Sequence, residues 1–173
     1  MTPEQAHFLL HDVYIPQIRN EQKTTRRVIE AVPADQLGYT PDAKSMDAWK
    51  LASHIATSEV FFMMGSAQGR FSRDDVEFSD SIKTPDELAK WYDEHFANAV
   101  SKLAAAQDED LVKEINFAGL FNLPAIAYVG LMISHSVHHR GQLSAYLRPM
   151  GAKVPRIYGG SADEPIEATQ RAS

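Results

Sequence analysis

The chain contains no cysteine among its 173 residues. This absence excludes disulfide bonds, zinc sites built on thiolates and catalysis by a thiol of the protein itself. Any chemistry at a thiol therefore requires a thiol from another molecule. Because a chain without cysteine suits the reducing cytoplasm, we expect a cytoplasmic location.

Long hydrophobic runs and an excess of basic residues are also missing. No apolar stretch approaches the roughly 18 residues of a membrane helix, and the N-terminus lacks the basic and apolar regions of a signal peptide. The 17 basic residues are outnumbered by 23 acidic ones, which gives a formal charge of −6. Neither a membrane nor a nucleic acid is therefore expected as a partner. The length favours a single domain over residues 1–173.

Helical periodicity and capping signals divide the chain into four long helices. Thr2 with Gln5, and Thr84 with Glu87, match the capping-box pattern that opens a helix. Pro16 lies inside the first helical pattern and is expected to kink the helix or split it in two. The predicted helices span approximately residues 2–32, 45–67, 84–106 and 124–150.

The segments between these helices show no convincing strand alternation. Residues 33–44 are rich in proline, glycine and aspartate, and residues 107–123 form a second long connection without a clear pattern. Four long helices without strands favour an all-α fold, a four-helix bundle. The tail from about residue 151 has no helical period, and its last few residues are expected to be disordered.

Three of the seven histidines lie within five positions on the fourth predicted helix: His135, His138 and His139. Successive helical side chains are about 100° apart, so His135 and His139 lie on one flank of the core-facing stripe and His138 points to the back. Two imidazoles one turn apart on one face can bind the same metal ion. A third ligand must come from another helix, and His54 on the buried second helix is the candidate.

Spacing alone leaves other interpretations open. A pair of histidines four positions apart is often only hydrogen-bonded or half-exposed. His7 and His11 have the same spacing on the first helix, where we expect packing or pocket-lining roles. His95 has no partner nearby in the sequence and is expected at the surface or boundary of its helix.

Several catalytic patterns are absent. Ser136 stands where the zinc-protease motif carries its glutamate, so that machinery is missing. The chain has no Gly-rich phosphate loop, no Walker sequence and no G-x-S-x-G elbow. The fourth helix contains no acidic residue, which excludes a carboxylate-bridged di-iron centre.

Two segments, "SHIATSE" on the second helix and "HSVHHRGQLSAYLRPMGAKVP" about eighty residues later, resemble the DinB-like family of DNA-damage-inducible proteins. The likeness continues in "LGYTPDAKSMDAW" and "YGGSADE", and its most specific element is H-x-x-x-H-R-G-Q. The resemblance implies a four-helix bundle with a long crossover connection, often paired as a homodimer. It also implies a divalent metal ion held by three histidines, whose positions here are His54, His135 and His139.

The resemblance also suggests a range of functions. Characterised DinB-like proteins include thiol-dependent transferases and isomerases that use a low-molecular-weight thiol such as bacillithiol or mycothiol. We therefore expect a divalent-metal-binding protein that acts as a metal-dependent enzyme on a small molecule, with thiol transfer as one option. The alternative is a non-catalytic metal-binding or stress-response protein whose metal is structural.

The identity of the metal and the roles of neighbouring residues stay open at this point. Imidazole ligands suit zinc, nickel, copper and iron, and zinc or nickel is the expected ion. Gln142 follows the ligands by about one turn, where it either orients a bound group or makes a supporting hydrogen bond. Arg140 is expected to form a structural ion pair, and no residue is assigned as general acid or base.

Overall fold

The computed structural model describes residues 1–166. The disorder expected for the last few residues falls on 167–173, outside the described residues. Most of the described chain is helical, and its apolar core lies between the long helices. Among the helices of this part of the chain, none is long and apolar enough to cross a bilayer.

The first helical region is divided into three segments around Pro16. Helix α1 spans Pro3–Phe8, a π-helical segment covers Leu9–Tyr14, and α2 follows over Ile15–Glu30 with Pro16 in its first turn. The first backbone N–H groups of an α-helix have no partner within it, so a proline there removes no α-helical hydrogen bond. The π-helical segment thus accommodates the proline: the first helical region departs from a regular α-helix just before Pro16, but its backbone is not interrupted there.

Four long helices form the bundle, as predicted. Helix α3 spans Ala48–Gln68, α4 spans Pro85–Ala104 and α6 spans Ala125–Leu147. Helix α2 packs against α4 and α6, and α3 packs against the same two helices. Helices α2 and α3, joined by residues 31–47, therefore occupy diagonally opposite corners of the bundle, and so do α4 and α6, joined by residues 105–124. Both connections cross over the bundle.

Several helix ends differ from the prediction by a few residues. Helix α3 begins at Ala48 rather than near Ser45, because the Asp47 side chain accepts a hydrogen bond from the backbone N–H of Lys50 and caps the helix. Helix α6 ends at Leu147, three residues before the predicted end. The capping boxes at the starts of α1 and α4 are both present, as predicted.

The connection after α4 contains structure that the sequence did not predict. A short helix, α5, covers Asp108–Leu111, and an antiparallel hairpin follows with strands β1, Glu114–Phe117, and β2, Phe121–Pro124. The expectation of a chain without strands is wrong at this point. Each strand has only four residues, which is too short for an alternating pattern to be convincing.

The hairpin turn places two consecutive residues in the left-handed region. Ala118 has φ 51° and Gly119 has φ 75°. The N–H of Leu120 donates to the carbonyl of Phe117 at 2.9 Å. Two positive φ angles at the centre are typical of a type I′ turn, which matches the twist of the flanking strands. Glycine adopts this conformation freely, whereas the alanine is strained there.

Aromatic side chains hold the connection between α3 and α4 against the bundle. Phe71 packs so closely on Gly65 that a Cβ at the glycine would lie 2.1 Å from the ring. The same ring meets Tyr128 of α6 edge-to-face, with 4.9 Å between centroids. Further along, the indole N–H of Trp91 donates to the carbonyl of Glu77 at 2.8 Å. This connection, residues 69–84, is therefore anchored at both ends.

Candidate metal centre

Three histidines from two packed helices converge where α3 meets α6. Helix α3 carries His54, and α6 carries His135 and His139 one turn apart. The Nε2 atoms of His54 and His135 are 3.2 Å apart, and the three ring centroids lie between 4.3 and 4.9 Å from one another. One nitrogen from each ring lies within 4.8 Å of the other two. The structure brings together the three residues that helical phase and the family resemblance selected.

The geometry of this histidine cluster fits a divalent transition-metal ion. Imidazole nitrogens bind tetrahedral zinc at about 2.0–2.1 Å, which places two such nitrogens about 3.3 Å apart. The Nε2 atoms of His54 and His135, at 3.2 Å, already have this separation. Three protein ligands leave at least one coordination position free, as in catalytic zinc sites. The cluster is therefore a candidate metal site.

His138 lies outside the cluster. Its side chain is exposed, whereas His135 and His139 are half-buried on the face toward α3. The His138 ring is 4.9 Å from that of His139, its neighbour in sequence, but its nitrogens are not part of the converging set. The helical phase predicted this difference.

Gln142 holds one of the candidate ligands. Its Oε1 lies 2.7 Å from Nδ1 of His139. Because an amide oxygen only accepts hydrogen bonds, the imidazole donates from Nδ1, and Nε2 keeps its lone pair for a metal. Of the two roles considered for Gln142 from the sequence, the structure shows the supporting hydrogen bond.

Burial and mutual repulsion keep two of the imidazoles neutral. Burial, followed by repulsion from His139, lowers the pKa of His54 below its ordinary value. Burial is also the larger cause for His135, and together with repulsion from the neighbouring histidines it lowers the pKa to about 4. Since only a neutral imidazole binds metal, these two residues are in the ligating form at neutral pH.

A buried carboxyl group lies in the core beside the cluster. Glu59 of α3 is 2% exposed and accepts hydrogen bonds from the hydroxyls of Ser136, Tyr92 and, at 3.4 Å, Thr25. Burial raises the pKa of this carboxyl, although the hydrogen bonds from Ser136 and Tyr92 oppose the shift. Because Ser136 directly follows His135, this network ties α6 to α3 next to a candidate ligand.

Sequence reasoning missed Glu59, although a signal was present. Glu59 follows Ile55 by four positions and Ala52 by seven, so it has the phase of the buried apolar residues of α3. An acidic residue on the core-facing side of a helix indicates a buried and hydrogen-bonded carboxyl group.

Arg140 forms the expected structural ion pair. Its side chain is 1% exposed and pairs with Glu21 of α2. It also donates to the hydroxyl of Thr25 at 3.1 Å and to that of Tyr158 at 2.6 Å. Arg140 therefore joins α6 to α2 and to the segment after α6.

The other histidines have local partners. Nδ1 of His7 lies 2.9 Å from Oδ1 of Asp108, and the rings of His7 and His11 are 4.3 Å apart. His95 bonds to the carbonyl of Trp91 at 2.9 Å and stacks on its indole. Within residues 1–166, none of these three histidines belongs to a group of three converging metal-ligating side chains.

An apolar cavity of about 670 Å³ opens beside the histidine cluster. This volume lies in the range of about 300–1,000 Å³ that is typical of small-molecule sites. A second cavity of about 600 Å³, between α2 and α4, has no histidine in its lining. The cavity beside the cluster is lined by both candidate ligands His54 and His135, by Thr57, Ser58 and Arg73, and by the apolar side chains of Phe61, Phe62, Val76, Phe78, Phe117, Phe121 and Leu131.

Comparisons with known proteins agree with this architecture. The chain is 29% identical over 148 residues to the uncharacterized protein YjoA of Bacillus subtilis, which covers 84% of this chain and 88% of that protein. A shorter match of 57 residues, 39% identical, relates 33% of the chain to 34% of the uncharacterized protein YrdA of the same organism.

Solved structures and a family model extend the comparison. The crystal structure of the DinB-like protein YjoA superposes with a TM-score of 0.69 at 25% identity, over 88% of this chain and 99% of that one. A DinB-like protein from Bacillus cereus has the same fold, with a TM-score of 0.71 at 20% identity, over 86% and 97% of the two chains. The model of the DinB family matches residues 7–171. The chain therefore belongs to the DinB family.

Proposed function

We propose that this protein is a metal-dependent enzyme that acts on a small molecule at the histidine cluster. The observation that carries the proposal is the position of the cluster at the wall of an apolar cavity, which His54 and His135 both line. A structural metal is enclosed by four protein ligands and needs no cavity, whereas a catalytic metal needs a position that a substrate can reach. The three histidine nitrogens supply the ligands for a metal ion, and the adjoining cavity supplies the space from which a substrate can reach it.

The roles of the residues follow from their geometry. His54, His135 and His139 would hold a divalent ion, and Gln142 fixes the ring of His139 through the hydrogen bond at Nδ1. A bound divalent ion, zinc or nickel, supplies Lewis acidity and lowers the pKa of a thiol or water in its free position. The apolar wall of the cavity orients the substrate and excludes bulk water.

Thiol transfer is the reaction class that we propose. The chain has no cysteine, so the nucleophilic sulfur must come from a low-molecular-weight thiol. In such a substitution the sulfur forms a bond to an electrophilic carbon, the leaving group departs with the bonding electrons, and the thiol proton passes to solvent. Support comes from membership in the DinB family and from the donor set, because three imidazole ligands carry no negative charge and leave the positive charge of a bound ion uncompensated.

Metal binding is tested with two histidine variants. We expect the wild-type chain to bind one zinc or nickel ion and to gain stability from it, about 2.7 kcal/mol when free metal is 100 times Kd. The His139→Ala variant loses most of this stabilisation by metal. The exposed His138 serves as the control, and the His138→Ala variant keeps the stabilisation. Titration calorimetry and thermal unfolding with and without metal measure both effects. The ligand assignment is wrong if His138→Ala abolishes the stabilisation and His139→Ala does not.

The alternative of a structural metal is tested by asking whether a thiol reaches the ion. Cobalt-substituted protein is titrated with 2-mercaptoethanol, and a thiolate-to-cobalt absorption band is expected to appear. If cobalt stays bound and no band forms, the coordination is closed and the enzymatic proposal fails. A screen of thiols with small electrophiles then tests turnover.

A further inference from the structure

We infer that the cavity beside the histidine cluster binds an anionic substrate with an apolar, ring-sized body, and that Arg73 binds its carboxylate. The inference rests on the proposed function, because the metal centre acts on the molecule that this cavity holds. It names the class of substrate and the residue that selects it.

The apolar part of the cavity is built mostly from phenylalanine side chains. Phe62 of α3 stacks on Phe117 of the hairpin, with 5.6 Å between ring centroids, and lies 5.9 Å from the ring of His135. Phe121 is 50% exposed and Leu131 is 37% exposed, although both line the cavity. Large apolar side chains that stay in contact with water at a concave site favour a ligand that covers them.

Arg73 is the one charged residue among the described residues that line the cavity. Within residues 1–166, no carboxylate forms an ion pair with it. The nearby Arg70 differs, because its guanidinium is paired with Asp75 through contacts of 3.0 and 3.2 Å. A guanidinium group that is free for a ligand binds a carboxylate through two parallel hydrogen bonds.

The two hydroxyl side chains of the lining do not compete for an anion. The hydroxyl of Thr57 donates to the carbonyl of Ser53 at 2.8 Å, and that of Ser58 donates to the carbonyl of His54. Both hydroxyl hydrogens are thus used inside α3. Apart from the imidazoles of the two candidate ligands, Arg73 is left as the donor that can meet a charged group of the ligand, so the cavity selects for negative charge.

The backbone around Arg73 presents the guanidinium from a defined position. Arg73 begins a single 3-10 turn that ends at Asp75, and the hydroxyl of Ser72 caps it by accepting from the N–H of Asp74. Two residues earlier, Phe71 is seated in the gap left by Gly65. The connection that carries Arg73 is therefore packed on the bundle.

The test compares two ligands of the same shape and different charge, 2-naphthoate and 2-naphthamide. Binding is measured by titration calorimetry or NMR on metal-free protein at pH 7.5, so that a carboxylate cannot bind through the metal. We expect the wild-type chain to bind naphthoate about tenfold more tightly than naphthamide, since a charge-assisted hydrogen bond from a guanidinium to a carboxylate is stronger than one to a neutral amide. The Arg73→Ala variant is expected to lose this preference and to bind naphthoate only as tightly as naphthamide.

Two further variants separate charge from apolar contact. Arg156 is exposed and lines a different cavity, so Arg156→Ala removes one positive charge and leaves both affinities unchanged. Leu131→Asn places a polar group in the apolar wall and lowers the affinity for both ligands by a similar factor. Circular dichroism confirms that each variant is folded.

The outcomes distinguish this inference from the proposed function. Equal affinity of the wild-type chain for the two naphthyl ligands, or an unchanged preference in Arg73→Ala, overturns the role of Arg73. Zinc titration of the same preparations reports on the metal centre separately. A chain that prefers naphthoate through Arg73 but binds no metal retains the cavity assignment and loses the enzymatic proposal.

Discussion

Glu59 is a titratable group in the middle of the core, and its environment makes stability depend on pH. Burial raises the pKa of the carboxyl above its ordinary value of 4.5. Between that value and the higher pKa in the folded state, the folded protein holds a proton that the unfolded chain has released. The free energy of unfolding therefore falls as pH rises through this window.

The Glu59→Gln variant removes this titration while it keeps the size of the side chain and its capacity for hydrogen bonds. We expect the wild-type chain to lose stability relative to the Gln variant as pH rises from about 4 toward neutrality. Urea unfolding of both proteins at several pH values measures the difference. Glu94 is exposed on α4, so Glu94→Gln is the matched control for the loss of one carboxyl group. If the wild-type chain instead becomes more stable relative to the Glu59→Gln variant as pH rises, the raised pKa of Glu59 is wrong.

The histidine cluster could be predicted from the sequence because the direction of a helical side chain follows from its position along the helix. The directions of His135, His138 and His139 depend only on their positions along one regular helix, and the structure agrees with them. The same reasoning placed His54 in a buried helix but did not reveal Glu59, because the apolar residues of α3 lie almost all round the helix and no single face stands out as the core.

At the scale of elements, the hairpin between α5 and α6 contains a strained residue. Ala118 has φ 51°, where a Cβ crowds the following carbonyl, and Gly119 beside it has φ 75° without this cost. We expect Ala118→Gly to raise the free energy of unfolding by about 0.5–1 kcal/mol, since the relief of strain exceeds the added freedom of the unfolded chain. Thermal or urea unfolding measures the change.

The neighbouring glycine provides the matched control. Gly119→Ala introduces a side chain at the second left-handed position and is expected to destabilise the protein by about 1–2 kcal/mol. Metal affinity is expected to stay the same in both variants, because Ala118 and Gly119 belong neither to the histidine cluster nor to the lining of the adjoining cavity. A loss of stability in Ala118→Gly shows that the turn is not strained.

The long helices could be predicted from sequence, whereas the walls of the cavity could not. Periodicity, proline and capping boxes indicate each helix from local residues alone. The cavity combines Phe61 of α3 with Phe117 and Phe121 of the hairpin and with Arg73 of an irregular connection. Its assembly depends on how distant segments pack, and the two four-residue strands give no local signal that would place them.

For the molecule as a whole, the homodimer implied by the family stays a prediction. The large apolar residues of α3 are mostly covered within the chain. Phe8 is 60% exposed, Val13 is 38% exposed and Leu120 is 72% exposed, so apolar surface is available elsewhere. Light scattering at micromolar concentration is expected to report twice the 19.3 kDa mass of one chain. The mass of a single chain at that concentration contradicts the dimer.

The candidate ligands and one part of the cavity wall lie on parts of the chain that tolerate change differently. His54, His135 and His139 project from two long helices that pack against each other, so their spacing is fixed by the core of the bundle. Phe117, Phe121 and Arg73 project from connections, where a change in length costs little in loop entropy. The same frame of three histidines can therefore serve cavities of different shape. Directed evolution toward a new substrate should randomise residues 69–84 and 105–124 and leave α3 and α6 as they are.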